Sequence, residues 1–414
     1  MHLTTPPAPN EWERGWRIVL GAAIGSGLGI PLFYYTFSLF TIGMTTEFGV
    51  SRGDMSNVQA LIVVGALVAP LIGRVLDRMG FAIVFGVCTL LVCLAHILAA
   101  TVISTLGGFA ILALLYGAAG IGCGPLAYTR PINAWFWRHR GLALGICALG
   151  LAFTALVAPP LLASLIEAEG WRAGYWALAI AAGLVGLPLT LMLVRDAPPE
   201  GPAGPPEAET PVSADKSHFH DPQFWLLVGS MLCVGIAGAG LVSQLSPLVQ
   251  DEGISAPMAA LGVSGYAVGQ VAGRIIAGWF LDRANPRIVA FSFTFVPAIG
   301  FLLLAAFDLP AWVAIAAVAL VGIQQGAEID LFAWIVSRRF GLARYGTVYG
   351  WIIAAAWIAN ATGIVAFGQL FDAFGSYAVA EWLAAGLLII GAILIGLVRV
   401  NATSHSAPEP LRAP

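Results

Sequence analysis

A succession of apolar runs, each long enough to cross a bilayer, constrains this chain more than any other feature. They fall near 16–45, 55–75, 82–103, 106–130, 141–166, 172–194, 223–250, 257–281, 288–307, 311–336, 346–370 and 377–398. About 20 apolar residues span the hydrocarbon core as a helix. In lipid every backbone amide must be paired within the protein, which leaves helices or closed barrels. These runs are continuous rather than alternating, so barrel strands do not fit. The expected fold class is an all-α membrane protein of twelve transmembrane helices. Charge supports this, because 10% of residues are charged where a soluble domain carries about 25%. No nucleic-acid partner is expected.

The first seventeen residues are polar and include Pro6, Pro7 and Pro9. They lack the short apolar region and cleavage site of a signal peptide, so the first run is expected to be retained as a span. Cys88, Cys93, Cys123, Cys147 and Cys233 lie inside apolar runs. Their spacing suits neither a metal nor a disulfide framework, and they read as small packing residues. Residues 195–222 are rich in Pro, Ala and Glu and read as a flexible linker. The expected organisation is a six-helix bundle at 1–196, a cytoplasmic linker at 197–221, a second bundle at 222–400 and a cytoplasmic tail at 401–414. His218 and His220 read as a solvated loop pair, since no other metal ligands cluster there.

With the N-terminus inside, inner segments hold 15 of the 19 basic residues, and outer segments hold only Arg52 and Arg172. The excess of basic residues inside fixes the expected orientation, with both termini cytoplasmic. Glu167, Glu169, Asp251 and Glu252 then fall in outer loops, where solvated charges are expected. The halves also repeat. Gly73-Arg-Val-Leu-Asp77-Arg78 after span 2 matches Gly278-Trp-Phe-Leu-Asp282-Arg283 after span 8, and Trp135…Gly141-Leu-Ala matches Trp334…Gly341-Leu-Ala. Two six-helix halves in one orientation are the parallel repeat of a rocking transporter.

Arg130 and Arg274 are the basic residues left inside spans. Arg274 lies eight residues before Asp282, which puts it roughly 12 Å inside the helix end. A charge at that depth costs at least ~2.5–3.5 kcal/mol, so it marks a partner, a water-filled cavity or an anionic ligand. Tyr266, Gln270 and Arg274 recur every four residues and share one polar face. Gly265, Gly269 and Gly273 form a small face beside it, suited to close helix packing. Such a helix reads as one wall of an aqueous pathway. The competing reading is an arginine that snorkels to the headgroups.

At these residues the chain resembles the major facilitator superfamily. Gly73-x-x-x-Asp77-Arg78-x-Gly80 is similar to its loop between spans 2 and 3, with Phe81 where a basic residue is usual. Within the superfamily, Arg274-x-x-x-Gly278, Trp135-Phe136-x-x-x-Arg140-Gly141-Leu-Ala and Gly15-Trp16 resemble the monocarboxylate transporter and oxalate/formate exchanger group. The resemblance implies that Arg274 holds a substrate carboxylate. Two departures stand out. Gln270 occupies the place of an aspartate implicated in proton coupling, and Tyr34 and Tyr35 occupy the region of a lysine in span 1. Span 11 lacks the second cation of the exchanger type, which favours a single carboxylate over a dianion.

Glu328 and Asp330 lie in span 10, roughly 200° apart on the helix, so they cannot both face one cavity. Gln324 and Glu328 share a stripe, which favours Glu328 as the cavity residue. Burial disfavours its charged form, so a proton can bind there during transport; an ion pair with Arg274 would instead hold it ionised. Tyr34, Tyr35, Tyr116, Tyr128, Asn133, Trp357 and Asn360 are candidate hydroxyl, amide and aromatic linings of the pathway, and Pro31 is placed to bend span 1. Aligning Gly141 with Gly341 sets Arg130 opposite Asp330 across the repeat. Opposite charges facing a common axis suit a cytoplasmic gate, with Asp77, Arg78, Asp282 and Arg283 at the same end; the alternative has Arg130 reaching the headgroups and Asp330 paired within its own half.

The expected function is alternating-access transport of a small organic anion, foremost a monocarboxylate, coupled to protons. The alternatives are anion exchange of the oxalate/formate type and proton-coupled export of amphipathic drugs. No catalytic motif, metal site or cofactor is expected. The expected setting is a bacterial inner membrane, with lipid as the surroundings and a monomer as the working unit.

Overall fold

A computed structural model describes residues 11–136, 139–196, 219–251, 253–281, 283–306, 310–340 and 342–399. These residues form helices joined by short turns, with no strand among them. Expected site residue Asp282 lies outside this set, as do the side chains of Asp77, Asn133 and Asp330. The linker at 197–218 is outside it too.

Twelve helical passes run in chain order. They are α1 (11–48), α2 (52–79), α3 (Phe81–Thr101), α4 (106–135), α5 (Arg140–Glu169) and α6 (Trp171–Leu193) in the first half. The second half holds α7 (Pro222–Asp251), α8 (Ala256–Leu281), α9 (Pro286–Ala306), α10 (Ala311–Phe340), α11 (Leu342–Phe374) and α12 (Ala378–Gly396). Ten of these contain helices long and apolar enough to cross a membrane by length and composition, and α2 and α8 complete two sets of six. Large apolar side chains face outward along the passes, including Leu67 at 80% exposure and Ile111 at 69%. Water would not tolerate so much exposed apolar surface, whereas lipid favours it.

The passes are shaped by local sequence. The backbone of α1 breaks at Gly29, and Pro31 sits in the first turn of the helix that follows. Proline fits there because a first-turn N–H has no intrahelical partner to lose. Gly80 (φ 80°) separates α2 from α3 in a left-handed conformation that favours glycine. The Asp196 carboxylate accepts the Phe81 N–H at 2.9 Å and 3.0 Å, which caps the positive start of α3.

Within the second half, α8 and α10 cross at backbone contact. A Cβ on Gly269 would lie 2.0 Å from the Ala319 carbonyl oxygen, and one on Gly273 would lie 2.0 Å from that of Ile323. Gly322 and Gly326 answer from α10, where an added Cβ would lie 2.2 Å and 1.9 Å from the Tyr266 and Gln270 carbonyl oxygens. The glycine face expected on α8 therefore packs as expected, against a matching glycine face.

The two halves meet along paired seams, α2 against α11 and α5 against α8. Because α2 is the repeat equivalent of α8, and α5 of α11, the seams exchange under the internal repeat. The end of the molecule carrying residues 11 and 399 is called the terminal end here, and the opposite end is called distal. At the distal end Arg52 donates to Asp251, with one arm at 2.9 Å, and to the Tyr377 hydroxyl at 3.0 Å. Asp251 was expected to be a solvated loop charge; it is instead paired across the seam, because the start of α2 lies against the loops following α7 and α11. At the terminal end the pairs stay within one half, Glu11 with His139 and Asp221 with Arg339. Among the described residues no ion pair crosses between the halves there.

Candidate functional site

Between the halves lies a cavity of ≈ 210 Å³. Its lining divides by chemistry. Tyr34 and Tyr35 of α1, Tyr266, Gln270 and Arg274 of α8, and Gln325 of α10 supply the polar groups. Gly145, Ala148 and Ala152 of α5 supply an apolar wall. The four-residue spacing of Tyr266, Gln270 and Arg274 does what it implied, since all three side chains line one space. They share one face of α8, whose neighbouring glycine face is spent on α10.

The polar wall is hydrogen-bonded across the halves. The Tyr35 hydroxyl donates to Gln270 Oε1 at 3.1 Å. Tyr34 meets Tyr35 edge to face, with ring centroids 5.4 Å apart. The Tyr266 hydroxyl lies 3.4 Å from Gln325 Oε1, and Gln325 Nε2 donates to Glu328 Oε2 at 2.8 Å. Gln324 Nε2 reaches the same oxygen at 3.5 Å. Glu328 is 4% exposed and stands one layer behind the lining, linked to it through Gln325. Among the described residues its hydrogen-bond donors are these two amides.

Arg274 is exposed within this lining. A guanidinium offers five donors in a planar fork that matches a carboxylate, and it cannot lose its charge. Among the described lining residues it is the one cation. The site can therefore hold one anionic group at Arg274, surround it with hydroxyl and amide groups, and leave the remainder of a ligand against aliphatic surface.

Other expected site residues lie elsewhere. Tyr128 is 1% exposed and packs beside Phe81 and Phe85 in the core of the first half. Its hydroxyl lies where a Cβ on Gly25 would meet it, so it fills a helix contact rather than the cavity wall. Tyr116 is likewise in that core, 2.8 Å from His96 Nδ1. Asn360 sits against Gly235 of α7, and neither it nor Trp357 lines the cavity described above. Arg130 donates to the Leu76 carbonyl at the end of α2, within its own half; its expected partner Asp330 has no described side chain. Arg78 is exposed, and Arg283 donates to the Trp279 carbonyl at 3.1 Å. Sequence reasoning missed Gln325, although its neighbour Gln324 had been noticed. It also missed the α5 wall, since glycine and alanine in an apolar run carry no mark of a ligand.

Comparison with known proteins adds to this geometry. The profile of the Major Facilitator Superfamily matches residues 19–364 and, in a second match, 230–413. The oxalate:formate antiporter of Oxalobacter formigenes is 28% identical over 268 residues, which cover 62% of this chain and 61% of that protein. Monocarboxylate transporter 11 of Homo sapiens is 26% identical over 418 aligned positions, covering 95% of this chain and 85% of that one. Among solved structures, a bacterial homolog of the human lysosomal transporter Spinster, inward-facing and unoccupied, superposes with a TM-score of 0.71. It is 15% identical and the match covers 95% of this chain and 98% of that one.

Proposed function

The chain belongs to the major facilitator superfamily of transporters, and within it we propose that it carries a small monocarboxylate by alternating access, coupled to protons. The observation that carries this reading is Arg274 standing in the cavity between the halves, beside Gln270, Tyr34 and Tyr35. One cation among the described lining residues balances one carboxylate, and a dianion would leave a second charge unpaired in a site of low dielectric. The α5 wall suits the apolar remainder of such a molecule. Kinship with a monocarboxylate transporter and an oxalate:formate antiporter supports a carboxylate as the ligand, and the former supports a single one.

Glu328 is the proposed proton carrier. Its two amide partners serve either protonation state, because an amide donates to a carboxylate through its NH2 and accepts from a carboxylic acid through its carbonyl. The chain Glu328–Gln325–Tyr266 connects it to the substrate cavity. Arg130 and Asp330 are the proposed gate at the terminal end. The six-helix halves divided by the linker at 197–221 move as bodies in this reading, in a cell membrane with the terminal end cytoplasmic, an orientation that the excess of basic residues there supports.

Uptake of radiolabelled carboxylates into proteoliposomes tests the proposal. A monocarboxylate should accumulate when the outside is acid, without any anion inside. Uptake that requires a trapped internal anion would replace symport by exchange, the reading that the antiporter relative favours. If no monocarboxylate moves under either condition, the proposal fails.

A further inference from the structure

The distal seam is built differently from the rest of the interface between the halves. Helical geometry of α2 begins at Arg52, after Ser51 caps it and pairs reciprocally with Asp54. That firm start holds Arg52 and the first N–H groups against the second half. Arg52 donates to Asp251 at the end of α7 and to the Tyr377 hydroxyl just before α12. Its guanidinium also lies 4.0 Å from the Phe371 ring centroid, over α11. The next residue, Gly53, donates its N–H to Asp372 Oδ2 at 2.9 Å. A Cβ there would lie 2.3 Å from that oxygen, so only glycine lets the carboxylate approach so near.

Behind this charged layer sits a neutral one. The Tyr377 hydroxyl donates to Gln244 Oε1 at 2.9 Å, and Gln244 Nε2 donates to Ser56 Oγ at 2.8 Å. Gln244 is 1% exposed and Ser56 is fully buried. Beside them Gly368 of α11 lies where a Cβ would be 2.2 Å from Ser56 Oγ. The chain Arg52–Tyr377–Gln244–Ser56 therefore leaves the first half, crosses two elements of the second and returns.

We propose that Arg52, Asp251, Asp372, Tyr377, Gln244 and Ser56 form a clasp that closes the distal end, and that its strength sets how often the carrier opens there. The sign pattern supports this. The first half offers the cations, Arg52 and the positive start of α2, and the second half offers the anions, Asp251 and Asp372. Every bond in the clasp joins the halves or orients one that does, so distal opening must break the set together. A contact biases an equilibrium only by its difference between two states, and these contacts exist only when the distal ends meet. The two ion pairs named at the terminal end, Glu11–His139 and Asp221–Arg339, each lie within one half. Partial exposure of Arg52 (16%) and Asp251 (36%) lets the clasp open without leaving a dry charge.

The test reads distal opening directly and does not depend on the substrate. Ser38, 2% exposed, lies in the Phe37–Leu39 turn of α1, which packs on α7. A Ser38→Cys reporter in the full-length protein, in lipid nanodiscs, is reacted with a water-soluble maleimide and corrected for the native cysteines. Arg52→Ala should raise its labelling rate about tenfold, the lower range for a charge-assisted hydrogen bond that water partly replaces. Asp251→Asn should do so to a smaller extent. The exchange Arg52→Asp with Asp251→Arg should return the rate toward that of the parent. High salt should raise the parent rate and leave Arg52→Ala unmoved, because only the parent has the pair to screen. If Arg52→Ala fails to fold, Tyr377→Phe removes one hydroxyl and leaves the ring, and faster labelling is again expected. Labelling at the parent rate in a folded Arg52→Ala or Tyr377→Phe protein overturns the clasp.

Discussion

Replacing Gly326 by alanine places a methyl group 1.9 Å from the Gln270 carbonyl oxygen. Real Cβ atoms essentially never approach closer than 3.0 Å, so α8 and α10 must part by the difference, 3.0 − 1.9 = 1.1 Å. The neighbour that must give way is backbone within a helix, and no rotamer change relieves it. Neighbouring contacts at Gly322, Gly269 and Gly273 would loosen together, since one rigid helix carries each pair. Overpacking of this kind costs ~1–3 kcal/mol. The separation also falls on the site, because Tyr266 and Gln270 ride on α8 while Gln325 rides on α10; the Tyr266–Gln325 contact, already 3.4 Å, would be lost. Thermal unfolding in detergent and ligand binding should therefore both weaken in Gly326→Ala. Gly386→Ala is the control: in α12 a Cβ there meets nothing within 4 Å, so its melting temperature should hold or rise, as replacing a helix-interior glycine favours. A Gly326→Ala protein as stable and as competent as the parent would refute the close-packed account of α8 and α10.

Glu328→Gln keeps the side-chain shape and removes the titrating proton, so accumulation driven by a pH gradient should disappear while counterflow of labelled substrate survives; pH-driven uptake at the parent level would exclude Glu328 as the carrier. Arg130→Asp and Asp330→Arg should each impair transport, and the charge-exchanged double variant should recover part of it; a double variant as poor as the two losses combined would mean the residues do not meet. At the distal end, the hydrogen bond from Arg172 lowers the Glu47 pKa from its ordinary 4.5, aided by the Trp171 N–H. A carboxylate held below its unfolded value stabilises the fold above that value and ceases to as pH falls through the lowered one. The melting temperature of the parent should therefore drop more steeply than that of Glu47→Gln as pH falls below about 4.5, and parallel profiles would remove Glu47 from the account.

Hydropathy made the twelve passes legible because spanning helices must be apolar along their length, whatever their neighbours. It read their breaks poorly. Gly124 interrupts α4 ahead of Pro125, a break that glycine's near-neutral hydropathy hides, and the apolar run ends at the charged Arg130 although the helix continues to Trp135. The glycine stripe on α8 was visible, but its partner stripe lies some fifty residues on, and periodicity does not say which helices touch. The polar face of Tyr266, Gln270 and Arg274 was readable because three polar groups in an apolar helix need a common reason. Tyr128 was misleading for the opposite cause: a tyrosine near the same depth is equally at home in a close-packed core, where Gly25 makes room for its hydroxyl. The distal clasp was hidden because Arg52 and Asp251 are 199 residues apart, and charges beside loops usually stay in water.

The most direct test of the central claim is the affinity of purified protein for the transported monocarboxylate in Arg274→Lys and Arg274→Ala, measured by calorimetry. Lysine retains the charge and loses the two-pronged fork, and alanine removes both. Losing a charge-assisted hydrogen bond costs about 1.5–3 kcal/mol, so alanine should weaken binding at least about tenfold, with lysine in between. Parent affinity in Arg274→Ala would contradict the account, because the cavity would then be binding its ligand without the one cation described in its wall.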